Sequence, residues 1–136
     1  MSYERIERLL GRAKGFFEGV HFHIDRRNYD IAVFNMEQAL QLYLKAVLLK
    51  LTGLYPEVHG IRLLLSYIYK YTGDARIAEF VKKYRIELSD VERAYTEARY
   101  GITSYSQEDA DRLLEVVIDC IRLVSEITTM PNIAEE

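Results

Sequence analysis

One segment restricts the fold more than any other. From about Asn28 to Leu51 the chain reads NYDIAVFNMEQALQLYLKAVLLKL. Met36, Leu40, Tyr43 and Val47 recur at helical spacing and form one apolar stripe. Ala39, Leu42, Ala46 and Leu49 form a second beside it, and Leu44, Leu48 and Leu51 widen the first on its other side. Only Glu37, Gln38, Gln41 and Lys45 are left, as a narrow polar strip. An apolar arc this wide needs more than one neighbouring helix. The segment is therefore central to a bundle, or shared between a bundle and a partner.

The rest of the chain supplies the neighbours. Ile6, Leu9, Leu10, Ala13, Phe17 and Val20 mark a first helix from about Ser2 to Val20, followed by a break over His21–Arg27. Glycines 11, 15 and 19 fall off its stripe, on a side facing solvent or a close neighbour. GLYPEVHG (53–60) reads as a loop, and a helix covers about Ile61–Tyr71. Asp74 is an N-cap candidate for a short helix over Ala75–Lys83, and a longer helix spans about Ile86–Arg99 up to Gly101. Ser106 and Asp109 have capping-box spacing, opening a last helix that stops before Pro131. The fold class is all-α, an antiparallel up-and-down bundle of five or six helices. Two prolines and seven glycines in 136 residues leave too few turns for a β-sandwich or barrel. The expected layout is one domain over residues 1–130 with a frayed tail at 131–136.

Composition narrows the function classes. The formal net charge is −3, so no global field draws the chain to nucleic acid, and any RNA contact has to be a local patch. A single cysteine, Cys120, in an apolar run argues for a buried structural thiol and a reducing compartment. No apolar run approaches the ~18 residues of a membrane span. MSYERIERLL is too charged for a signal peptide, so the expectation is cytoplasmic.

Several side chains invite a chemical role. His21, His23 and Asp25 have a spacing that suits metal ligands on an extended segment, but no further Cys or His completes a set, and no metal is expected. His59 sits just before a helix, where a ring that ties down the turn is favoured over a catalytic base without a nucleophile. FVKKYR (80–85) interleaves Lys82, Lys83 and Arg85 with Tyr84, a phosphate-and-base pattern in which a solvated helix end is the simpler account. Arg99 is harder to set aside. Four and eleven residues back lie Tyr95 and Leu88, the apolar stripe of its own helix. A guanidinium there needs an anion, a carboxylate across an interface, or the last carbonyls of the helix.

NYDIAVFNMEQALQLYLKAVLL (28–49), GLYPEVHGIRLLL (53–65) and YTEARYG (95–101) together resemble the HEPN domain, in the branch found beside minimal nucleotidyltransferases. The resemblance rests on Gln38-Ala39, Leu44-Lys45-Ala46, Pro56 and His59 before a leucine-rich helix, and Ala98-Arg99-Tyr100, in that order. It implies a helical bundle that dimerises. The active branch of the superfamily is a metal-independent ribonuclease carrying Arg, four to six residues, then His. Here Ser104, Tyr105 and Ser106 occupy those places, and no other arginine has a histidine at that distance. Serine supplies no proton acceptor near neutral pH, and tyrosine, with a pKa near ~10, is a poor base. No Gly-Ser with paired aspartates appears, so the chain brings no transferase site.

The expected function is thus a non-catalytic nucleotide- or RNA-phosphate-binding module. It acts with a separately encoded nucleotidyltransferase in a toxin–antitoxin or defence setting, as a homodimer and without a cofactor. Arg99, Tyr100, Tyr95, Tyr105 and His59 are the candidate ligand contacts. Two alternatives stand beside it. One is a ribonuclease with a divergent site built from Arg99 and Tyr105 of two protomers, helped by His59. The other is a structural dimer in which Arg99 pairs with a carboxylate.

Overall fold

The computed structural model describes residues 2–101 and 104–135, with only the backbone of residues 2 and 99. Six helices follow one another: α1 (Ser2–Asp25), α2 (Tyr29–Thr52), α3 (Ile61–Thr72), α4 (Ala75–Lys83), α5 (Arg85–Tyr100) and α6 (Gln107–Thr128). No strand occurs among the described residues. The expected all-α bundle is the observed one, and no helix of the described residues is long and apolar enough to cross a membrane.

α2 is the axis of the bundle. It packs against α1, α3, α5 and α6, which explains the width of its apolar arc. Its buried set includes Met36, Leu40, Tyr43, Leu44 and Val47, none with measurable exposure. Most of the polar strip is buried as well. Glu37, Gln41 and Lys45 retain 1%, 6% and 3% of their exposure, so the strip runs through the interior and not along the wet side.

α1 continues through His21–Asp25, where a break was expected. The reversal into α2 needs only Arg26–Asn28: Arg27 takes a left-handed φ of 62°, and the N–H of Asn28 donates to the His23 carbonyl at 2.9 Å. His21 and His23 therefore lie two apart on a helix, pointing to different sides. Among the described residues no three His, Cys, Asp or Glu side chains are grouped as a metal site would require. Gly19 lets the α1 backbone approach α2, because a Cβ there would strike the Asn35 amide nitrogen.

α4 and α5 meet at Tyr84, which ends one helix and starts the other. α5 stops at Gly101 in extended conformation (φ −78°, ψ 163°), not in the left-handed cap expected of a terminal glycine. A Cβ at 101 would stand 2.8 Å from the Cα of Glu97, so close approach accounts for the glycine. The Ser106–Asp109 capping box opens α6 with both reciprocal bonds, 3.1 and 2.9 Å, and holds the Asp109 carboxyl below its usual range. The segment after α6 packs back on the bundle. Met130 and Ile133 are buried, and the Tyr43 hydroxyl donates to the Pro131 carbonyl at 2.8 Å.

Candidate ligand-binding face of α5

The site begins with a helix that lacks its own cap. α3 starts after Gly60, which has no side chain to accept an N–H, and it carries no acid in its first turn. Glu92 of α5 supplies both. Its carboxylate accepts the backbone N–H of Arg62 at 2.8 Å and the Arg62 guanidinium at 3.0 and 2.9 Å. This clamp fixes the start of α3 against α5. His59 lies just before that start and Tyr95 one turn beyond Glu92, and their rings stack at 15° with centroids 6.0 Å apart.

Beneath the stack runs the buried polar column of α2. The Glu37 carboxylate accepts from the Gln38 and Gln41 amides, each at 2.6 Å. Burial raises its pKa above the ordinary value, against those two bonds and the Lys45 charge, and the Glu92 carboxylate pushes the same way. Two turns on, the Lys45 ammonium lies 3.1 Å from His59 Nδ1, with the Gln41 carbonyl oxygen 3.3 Å from the same nitrogen. The two contacts require opposite tautomers. Lys45 has only donors, is closer and carries charge, so Nδ1 accepts and the ring proton resides on Nε2. The Tyr55 ring covers the same region, 5.2 Å from Lys45 Nζ and 4.1 Å from the Arg5 guanidinium carbon.

The expected site residues fall into three groups. His59 and Tyr95 are brought together. Residue 99 follows Tyr95 by one turn on the same face of α5; the side chain of Arg99 lies outside the described residues, and Tyr100 beside it is 77% exposed. Tyr105 is tied elsewhere. Its hydroxyl donates to the Asp90 carbonyl at 2.8 Å, its N–H to the Asp30 carboxylate at 2.7 Å, and burial raises its pKa. The fully buried stripe of α5 is Leu88, Val91 and Ala94, while Tyr95 keeps 36% exposure.

Glu37, Gln41, Lys45, Arg62 and Glu92 were not expected at the site. For the first three a signal existed: polar residues every four positions in a helix otherwise apolar all round. For Arg62 and Glu92 there was none, because their pairing depends on how α3 and α5 dock.

The geometry defines a class, an all-α bundle whose interhelical junction presents stacked aromatic rings over a buried charged column. A family model described as the HEPN domain matches residues 6–127, and the chain belongs to that family. Neither the curated proteins nor the solved structures contain a match.

Proposed function

We propose that the protein is a non-catalytic domain that binds a nucleotide or an RNA phosphate at the α5 face. On this reading it acts as a homodimer with a separately encoded minimal nucleotidyltransferase in toxin–antitoxin or related defence. The observation that carries it is the His59–Tyr95 stack, held from below by Lys45 and placed one turn from residue 99. Such a stack offers a flat aromatic surface and a ring N–H, and an arginine one turn away supplies the charge for a phosphate. Hydrolysis lacks its base. No histidine follows Arg99 at the ribonuclease spacing, and the Tyr105 hydroxyl is committed to a main-chain carbonyl.

Thermal unfolding with ATP or a short single-stranded RNA tests the reading. A ligand at 100 times its Kd stabilises the protein by about 2.7 kcal/mol. The shift should be lost in Tyr95→Ala and Arg99→Ala. RNA cleavage that survives EDTA and disappears in Arg99→Ala would replace the binding reading with a ribonuclease. No shift with any nucleotide or RNA would leave a structural dimer.

A further inference from the structure

The basic run at 82–85 is divided by the fold. Lys83 and Tyr84 turn to the α6 side, where they share a cleft with Arg122. Lys82 and Arg85 turn to the other side and line a groove of about 370 Å³ between α3 and the α4–α5 junction. Arg62 and Tyr69, the latter 39% exposed, line the same groove. Leu65 and Ile77, both about 1% exposed, belong to its floor.

The charge of this groove runs against the rest of the molecule. The chain has 21 acidic and 18 basic residues, yet three cations and no acid line the groove. Glu92 offsets Arg62, but Lys82 and Arg85 form no ion pair or side-chain hydrogen bond among the described residues. The helix dipole accounts for Lys82 in the last turn of α4, but not for Arg85, which opens α5 beside it over an apolar floor and an exposed phenol ring. That combination matches a ligand with a flat face and a negative group.

We propose that the groove between α3 and the α4–α5 junction binds a nucleoside phosphate, with the base on the apolar floor against Tyr69 and the phosphate between Lys82 and Arg85. The same chemistry has two sources, a free nucleotide or one unit of a single strand. A strand has a path onward. Residues 85, 92 and 99 lie on one face of α5, each about 10.5 Å from the next, and Glu92 holds the Arg62 guanidinium midway. The groove site does not depend on the function proposed for the α5 face.

Titrations of AMP, inorganic phosphate and a fluorescent ten-nucleotide oligoadenylate test it, using wild type, Lys82→Ala/Arg85→Ala and Tyr69→Ala. The three substituted positions, Tyr69, Lys82 and Arg85, are exposed, so thermal unfolding should show the variants folded. The double variant should lose about tenfold or more in affinity. Tyr69→Ala should weaken AMP but not inorganic phosphate. AMP binding assigns a free nucleotide. Binding of the decamer alone, with a salt slope reduced by about 0.7 for each phosphate contact removed, assigns a strand. Unchanged decamer and AMP affinity in the double variant overturns the groove site and leaves the α5 face standing. Equal binding of phosphate and AMP overturns the base subsite, and binding of none of the three probes overturns the whole proposal.

Discussion

Replacing Glu92 with alanine removes the device that seats α3 on α5, and its cost follows from the three bonds the carboxylate makes. The bond to the Arg62 N–H is a tertiary N-cap, since Gly60 provides none. Caps of this kind contribute about 1 kcal/mol. The two guanidinium bonds join side chains that retain 20% and 40% of their exposure, so solvent screens the pair. A half-exposed bidentate pair adds about 0.5–1 kcal/mol. Loss of Glu92 also relieves its repulsion with the buried Glu37, a small gain. The net expectation is a loss of about 1.5 kcal/mol, which for a domain of this size lowers Tm by about 6 °C.

Arg62→Ala separates the components, because it removes the guanidinium and leaves the backbone bond to Glu92. Thermal unfolding followed by far-UV circular dichroism should show it losing about 0.5–1 kcal/mol, clearly less than Glu92→Ala. In Glu92→Ala, hydrogen exchange should rise first at the amides opening α3. If Arg62→Ala costs as much as Glu92→Ala, or if Glu92→Ala stays within 1 °C of wild type, with roughly 0.3 kcal/mol or less lost, the cap is not what holds α3 in place.

Four further outcomes test other parts of the structure. The folded state holds the raised-pKa proton of Glu37 more tightly than the unfolded chain does. Its contribution is therefore fully present below pH 4.5 and is lost as pH rises through the folded value; Glu37→Gln should lack this slope, and urea unfolding across pH should show wild type losing stability relative to the variant as pH rises. Lys45→Met removes a buried ammonium, should change stability by no more than about 1 kcal/mol, and should move the His59 proton from Nε2 to Nδ1 facing Gln41, as nitrogen NMR would record. Gly11→Ala and Gly15→Ala meet nothing within 4 Å and should each stabilise by about 0.5–1 kcal/mol, while Gly19→Ala should gain less because its Cβ meets Asn35. The Cys120 thiol is fully buried and pushed up to about 12, so a thiol reagent should label it only at the rate of unfolding.

Which features were legible in the sequence follows from how far each contact reaches along the chain. Helix spans, the Asp74 cap and the Ser106–Asp109 box are set by residues within one turn of each other, and all were readable. The course of α1 past Val20 was not, because one left-handed residue at Arg27 replaces a loop. Periodicity gives the direction of a side chain but not what covers it. Glu37, Gln41 and Lys45 carried the pattern of a polar strip, and α5 with the 53–60 loop closes over them from tens of residues away. Likewise Ile133 is buried in a tail whose anchor, the Tyr43 hydroxyl, lies 88 positions back. The same limit applied to residue 99. Tyr95 and Leu88 share its face, but only Leu88 is in the core.

The buried column carries the strongest structural case for a site. Glu37 and Lys45 are eight residues apart, about 12 Å along the helix axis, so neither neutralises the other directly. Burying a carboxylate and an ammonium apart carries a desolvation cost for each ion, and apolar residues of similar volume would be at least as stable at the same positions. A core selected for stability alone has no use for this arrangement. What the column achieves is orientation: the Lys45 ammonium takes Nδ1, and the exposed His59 ring is left one tautomer and one place against Tyr95. Glu92 fixes the same ring from the opposite side by seating α3. Two separate polar devices, from α2 and from α5, converge on one histidine at the surface. Locally costly chemistry that ends on an exposed, oriented ring is what the proposed binding site requires.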